Sequence, residues 1–143
     1  MLAYPEEWET IERNGHLRWV EVTDGQPFCL TKHDVVPHRV THAECDAYGY
    51  VVSSGPGASV GFSGDASWCP GVSRVIADSR LAFVDCSFAV GTPSHMGCTD
   101  YQQLCADNAG RCKIVPTHMG DDSEAALRKS DAPVPSDGAV FHV

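Results

Sequence analysis

Four short apolar segments of this sequence each lead into a histidine or an aspartate. They are residues 35–41 followed by His42, residues 58–62 followed by Asp65, residues 81–84 followed by Asp85, and residues 112–115 followed by His118. Apolar runs of this length, bounded by glycine, proline or polar residues, predict β-strands. Because strand ends meet at the rim of a sheet, residues that are far apart in sequence come together there. We therefore predict a functional site at one rim of a sheet.

Each of these four residues also has an interpretation without function. Ser63-Gly64-Asp65 is ordinary turn chemistry, a single histidine after a strand is commonly a turn or surface residue, and Asp85 is also suited to capping a loop. The coincidence of four such strand ends favours a site. Two histidines with carboxylates form a nitrogen and oxygen ligand set that suits zinc, manganese or iron.

The rest of the sequence predicts a mixed sheet with helices. Further strands are predicted at residues 17–22, 27–30, 47–53 and 139–143, and helices at residues 4–14, 71–79, 100–108 and about 122–129. Thr99 with Gln102 forms a capping-box pattern for the third helix, and Pro116 is expected to stop the strand before His118. Strands followed by strand–helix alternation indicate a mixed α/β fold. A chain of 143 residues suits one domain, residues 1–143.

Charge and cysteine content argue against several classes of protein. The net charge is −9, from ten basic and nineteen acidic residues, and the basic residues are scattered, so we expect no strong nucleic-acid binding by this chain alone. No segment has the apolar length of a membrane span. The acidic start lacks the pattern of a signal peptide, so we expect a cytoplasmic protein. Seven cysteines without a Cys-x-x-Cys pair indicate reduced thiols rather than a disulfide framework or a thiolate zinc site.

Five motifs follow one another along the chain and together resemble a known family. They are His42 with Tyr48-Gly49-Tyr50, Phe62-Ser63-Gly64-Asp65, Phe83-Val84-Asp85-Cys86-Ser87, Ser94-His95-Met96, and Val115-Pro116-Thr117-His118-Met119. In this order they resemble the second half of a metallo-β-lactamase-fold hydrolase. The resemblance is to the branch of the transfer-RNA 3′-processing endonucleases and the phosphonate-pathway cyclic phosphodiesterase, and it covers about residues 18–143. It implies half of an αββα sandwich, a mixed sheet with about three helices packed on one face.

The resemblance also implies a role for each site residue. His42 would bind one metal, Asp65 would bridge two metals, and His118 would bind the other metal; zinc is expected, with manganese or iron as alternatives. His95 would assist the leaving oxygen or steady the phosphate, and Asp85 would orient a ligand or His95. The reaction would be phosphodiester hydrolysis.

One departure from the family limits this expectation. The family's His-x-His-x-Asp-His segment, which supplies most of the ligands, has no counterpart in this sequence. His33-Asp34 and His38 offer a loose substitute, which we interpret as surface residues of a strand. With His42, Asp65 and His118 the chain holds three ligands, enough for one metal but not for a complete two-metal site.

A half sandwich exposes the sheet face that the missing half would cover, and large apolar patches are rare on soluble monomers. We therefore expect a homodimer, or a partner chain that supplies the first half. Hydrolysis of a small phosphodiester or an RNA-like substrate is expected only in the completed form, with this chain alone weak or inactive. The alternative is a non-catalytic truncated relative that acts as a dimerisation or partner-binding module. Thiol chemistry through Cys86 or Cys98 is a third hypothesis, which no adjacent base supports.

Overall fold

The computed structural model describes residues 5–17, 19–130 and 132–143. The helices are α1 (Pro5–Arg13), α2 (Pro70–Ala77), α3 (Cys98–Asp107) and α4 (Asp121–Lys129). The strands are β1 (Phe28–Leu30), β2 (His33–His42), β3 (Cys45–Ser53), β4 (Ser59–Phe62), β5 (Leu81–Asp85) and β6 (Lys113–Thr117). In the described residues no helix is long and apolar enough to cross a membrane.

The six strands form one sheet in sequence order. Strands β1 to β4 are a meander of antiparallel neighbours, whereas β4, β5 and β6 pair in parallel. The parallel connections run through α2 and α3, as parallel pairing requires a crossover. The predicted mixed α/β class is confirmed, and the architecture is that of half an αββα sandwich.

One face of the sheet carries α2, α3 and α4, which enclose the hydrophobic core. Val72 and Ile76 of α2, Leu104 of α3 and Leu127 of α4 are buried in the same cluster as Ala82 of β5. Close packing of α2 depends on a glycine, since a Cβ at Gly71 would lie 1.9 Å from the carbonyl oxygen of Arg39. The core therefore fixes the strands whose ends carry the candidate site.

The opposite face, which we call the open face, carries no helix of the core. Tyr50, Phe62, Phe83 and Val115 are successive register partners across it, and Phe62 is 45% exposed. Phe141 near the C-terminus covers part of the open face, with its ring centroid 5.5 Å from that of Phe83. An apolar row therefore remains partly uncovered.

Two predicted strands are wrong. Of residues 17–22, Arg18 lies outside the described residues, and the others belong to no strand; Trp19 and Val20 are more than half exposed. Residues 139–143 also belong to no strand. They contact the open face through the ring of Phe141 rather than through a backbone ladder. Apolar alternation marks both segments as suited to a strand, but a strand also needs a neighbour to pair with.

Two predicted boundaries differ as well. Helix α3 begins at Cys98 with Gly97 as its N-cap, and Asp100, rather than the predicted Thr99 and Gln102, closes the cap by accepting a hydrogen bond from the Gly97 amide at 3.0 Å. Strand β6 continues through Pro116 to Thr117. Because β6 is an edge of the described sheet, the missing amide hydrogen of Pro116 costs no ladder bond.

Candidate metal centre

The sheet directions bring the predicted residues to one rim. Strand β2 is antiparallel to β3 and β3 is antiparallel to β4, so the C-terminal ends of β2, β4, β5 and β6 lie on the same side of the sheet. His42 ends β2, and Asp65 follows β4 by three residues. The amide of Ser67 donates to the carbonyl of Thr41 at 2.9 Å, which holds the loop of Asp65 beside the end of β2.

Four side chains meet at this rim and form what we call the rim cluster: His42, Asp65, His95 and His118. Each of His42, Asp65 and His95 offers one ligand atom, and these three atoms lie within 4.8 Å of one another. His118 Nε2 lies 3.7 Å from Asp65 Oδ2. The His95 ring centroid is 5.0 Å from that of His42 and 5.5 Å from that of His118. The rim cluster thus combines three imidazoles and one carboxylate.

Asp85 lies behind the rim cluster and holds His95. Its carboxylate is fully buried and accepts hydrogen bonds from the Ala66 amide at 2.9 Å and from the Ser87 amide at 2.8 Å. It also accepts from Ser87 Oγ at 2.7 Å and from His95 Nδ1 at 2.7 Å. Four donors explain how the carboxylate remains buried, because buried charges require such partners. With Nδ1 committed to Asp85, the free nitrogen of His95 is Nε2.

Sequence reasoning missed two serines that complete this arrangement. Ser87 Oγ contacts both Asp85 and, at 3.1 Å, His95 Nδ1. Ser63 Oγ accepts a hydrogen bond from the Asp85 amide at 2.9 Å. The Asp85-Cys86-Ser87 spacing is a signal for Ser87, because an aspartate commonly bonds the backbone two residues on. Ser63 carries no comparable signal, since its partner is distant in sequence.

The backbone near two rim residues is in the left-handed region. His118 has φ of 55° and Ala43, which follows His42, has φ of 49°. Such conformations are uncommon outside glycine, and they concentrate at functional sites. The Ala43 amide also donates to the Pro93 carbonyl at 3.2 Å, which ties the turn after His42 to the loop of His95.

His33 and His38, the loose substitute for the missing ligand segment, do not join the rim cluster. His38 is 5% exposed, and its Nε2 lies 3.1 Å from Oδ2 of Asp78 at the end of α2. The interpretation of His38 as a surface residue is therefore wrong, because its side chain lies on the sheet face that α2 covers. His33 begins β2, at the end of the strand opposite to His42.

The thiols near the site are buried rather than activated. Cys86 and Cys98 are free thiols with sulfur atoms 4.0 Å apart. Burial, followed by the neighbouring Cys98, raises the pKa of the Cys86 thiol well above its usual range. A reactive cysteine needs the opposite shift. The geometry gives no support to thiol chemistry.

A cavity of about 320 Å³ opens beside the rim cluster. Asp65 and His118 line it on one side, and Phe62 and Phe83 line it on the other. The two phenyl rings are stacked, with centroids 5.4 Å apart. The rim cluster is thus reachable from the open face.

Comparison with solved structures identifies the fold. The metallo-β-lactamase-fold protein YhfI from Bacillus subtilis superposes with a TM-score of 0.69 at 17% identity, over 89% of this chain and 54% of that protein. The isothiocyanate hydrolase from Delia radicum gut bacteria gives 0.72 at 16% identity, over 96% of this chain and 64% of that protein. A diphosphatase of the PhnP family gives 0.69 at 19% identity, over 92% of this chain and 51% of that protein.

These values establish the metallo-β-lactamase fold for the part of those proteins that the chain covers. The chain spans between about half and two thirds of their length. No protein-family model matches the sequence, and no curated protein matches it.

Proposed function

We propose that this chain is a metal-dependent hydrolase-like domain that cleaves phosphodiesters once a first half or a partner completes it. The observation that carries the proposal is the rim cluster, in which donors from four separate segments converge. Three imidazoles and a carboxylate are donors that zinc accepts, with manganese or iron as alternatives. His42, Asp65 and His118 would hold the metal in the completed enzyme. When bound, such a metal polarises a phosphoryl oxygen as a Lewis acid.

The chain's own residues provide proton transfer and orientation. His95 presents Nε2 to the rim cluster, where it would pass a proton to the leaving oxygen. Asp85 accepts a hydrogen bond from Nδ1–H of His95, which fixes the tautomer and the plane of the ring. Ser87 holds Asp85 in turn.

The proposal includes a first half or a partner chain because this chain alone would hold the metal with only three ligands, His42, Asp65 and His118. The sequence lacks the His-x-His-x-Asp-His segment of the family that it resembles, and the chain spans 54% of YhfI and 51% of the PhnP-family diphosphatase. We therefore expect this chain alone to hydrolyse phosphodiesters weakly or not at all. The free thiols support action in the cytoplasm, where cysteines remain reduced.

A second candidate function is a non-catalytic module that dimerises or binds a partner chain through the open face. The observation that favours it is the exposed ring of Phe62 in the middle of an apolar row. We propose that a second copy of this chain binds the open face. A light-scattering mass equal to the monomer would exclude self-association through the open face.

The proposed function is tested by measuring metal content and phosphodiester hydrolysis on the same sample. The chain is equilibrated with zinc or manganese, dialysed, analysed by mass spectrometry and assayed with bis(4-nitrophenyl) phosphate. We expect bound metal, with a slow rate or none. Absence of metal together with absence of a rate at micromolar protein would overturn the proposal. Metal without any rate is the result expected if hydrolysis requires the first half or a partner.

A further inference from the structure

We propose that in this chain alone His95 is a fourth metal ligand, which closes the rim cluster into a four-donor zinc site without an open position. The inference rests on the proposed metal centre. It changes the role of one residue: His95 binds metal in the uncompleted chain, and moves a proton only after other ligands displace it.

The first support is the position of its donor. In the described residues, ligand atoms of His42, Asp65 and His95 lie within 4.8 Å of one another, so His95 belongs to one donor group with two of the proposed ligands. Zinc bonds of about 2.0–2.2 Å in a tetrahedron separate donors by about 3.4 Å. These three donors therefore need to approach one another by at most about 1.4 Å, from 4.8 Å to about 3.4 Å.

The second support is the orientation of the His95 ring. Asp85 and Ser87 lie 2.7 Å and 3.1 Å from Nδ1, which leaves Nε2 as the nitrogen available for a metal. A histidine that gives its second nitrogen to a carboxylate is the usual arrangement behind a zinc ligand. The ring is 16% exposed and Phe88 packs edge-on against it, with centroids 5.6 Å apart. These contacts leave His95 little freedom to turn away.

The fourth donor is His118. Its side chain is 55% exposed, and its Nε2 is 3.7 Å from Asp65, so it has room to close over the site. Its ring stacks on that of His95 at an angle of 21°. The backbone of His118 is in the left-handed region, with φ of 55°. His118 therefore completes a set of three nitrogen donors and one oxygen donor.

The number of donors decides what the site does. Structural zinc sites have four protein ligands, whereas catalytic sites keep one position open for water or substrate. A set of His42, Asp65, His95 and His118 leaves no open position. The closed set explains in physical terms why we expect this chain alone to bind zinc and to be nearly inactive.

The test is zinc affinity measured by competition with a chromophoric chelator, using the full chain. We expect one zinc per chain, and a loss of affinity of more than about 100-fold for His95→Ala, which exceeds the 10–100-fold cost of removing an outer partner. His95→Gln, which retains an amide able to bond Asp85, is the second variant. His16→Ala is the matched control, since His16 is exposed and follows α1 rather than a strand end that carries the rim cluster. Cobalt substitution gives a second readout, because four-coordinate cobalt absorbs visible light far more strongly than octahedral cobalt.

The outcomes separate the two proposals. If the unaltered chain binds no zinc, the proposed metal centre fails and the inference fails with it. If the chain binds zinc and both His95 variants keep its affinity and its cobalt spectrum, the inference is overturned and the proposed function stands. A loss of affinity of more than about 100-fold in both variants, with a native circular-dichroism spectrum, establishes His95 as a ligand.

Discussion

His95 Nδ1 lies 2.7 Å from Oδ2 of Asp85, a carboxylate that solvent does not reach. The pair joins the loop between β5 and α3 to the end of β5, and it decides which nitrogen of His95 faces the rim cluster. Because Asp85 also accepts from the Ala66 and Ser87 amides, the same carboxylate supports the turn after Asp65. Orientation of the site and stability of the fold therefore depend on one side chain.

Replacing Asp85 with alanine is expected to lower the free energy of unfolding substantially. The change leaves the buried amides of Ala66 and Ser87 without an acceptor, and each such group costs about 1–3 kcal/mol. We expect a loss of about 3 kcal/mol or more in urea unfolding. Asp46→Ala is the matched control, because Asp46 is 78% exposed and its ion pair with Arg39 is expected to contribute less than about 1 kcal/mol. Equal effects of the two changes would contradict the role of Asp85.

The thiol of Cys86 is expected to resist alkylation in the folded chain. Burial raises the pKa of Cys86, so its reactive thiolate forms only at higher pH than that of an ordinary cysteine. Cys29 and Cys45 are exposed and serve as internal controls. Peptide mass spectrometry after brief treatment with iodoacetamide at neutral pH should find label on Cys29 and Cys45 first. Labelling of Cys86 as fast as Cys29 and Cys45 would contradict the burial of its thiol.

A charge in the middle of the open face is expected to prevent self-association. Phe62→Glu places a carboxylate in the apolar row, and burial of an unpaired charge in a dimer interface is strongly unfavourable. Light scattering should give a dimer for the unaltered chain and a monomer for the variant. Val90→Glu is the control, because Val90 is 79% exposed in the loop before His95 and does not belong to the apolar row. A dimer that persists in Phe62→Glu would place the interface elsewhere.

Three residues of the rim cluster, His42, Asp65 and His118, were predictable because each follows an apolar run. The runs before His42, Asp65 and His118 indicate strands, and these strands, β2, β4 and β6, run in the same direction, so their ends meet without any knowledge of the loops. The position of His95 was not predictable from periodicity, since it lies in a loop and depends on a contact with Asp85 ten residues earlier. The same limit explains residues 139–143, whose apolar pattern is compatible with a strand although the segment belongs to no strand and contacts the sheet through side chains such as the ring of Phe141.

The burial of His38 also depends on contacts that are distant in sequence. In sequence it stands in an alternating strand beside Pro37 and Arg39, and nothing local says which face a helix will cover. Strand β2 turns His38 toward α2, where Asp78 provides a hydrogen-bond partner forty residues away. Which residues of a strand are buried depends on the packing of the whole domain.

The most direct test of the central claim is the zinc content of the unaltered chain beside that of Asp65→Ala. Asp65 is the oxygen donor of the rim cluster, and its side chain is 48% exposed, so we expect Asp65→Ala to lose zinc while the free energy of unfolding changes by less than about 0.5 kcal/mol. If Asp65 is only a turn residue, stability falls by about 0.5–2 kcal/mol and zinc content stays the same. Unchanged zinc in Asp65→Ala, with or without loss of stability, would contradict the account.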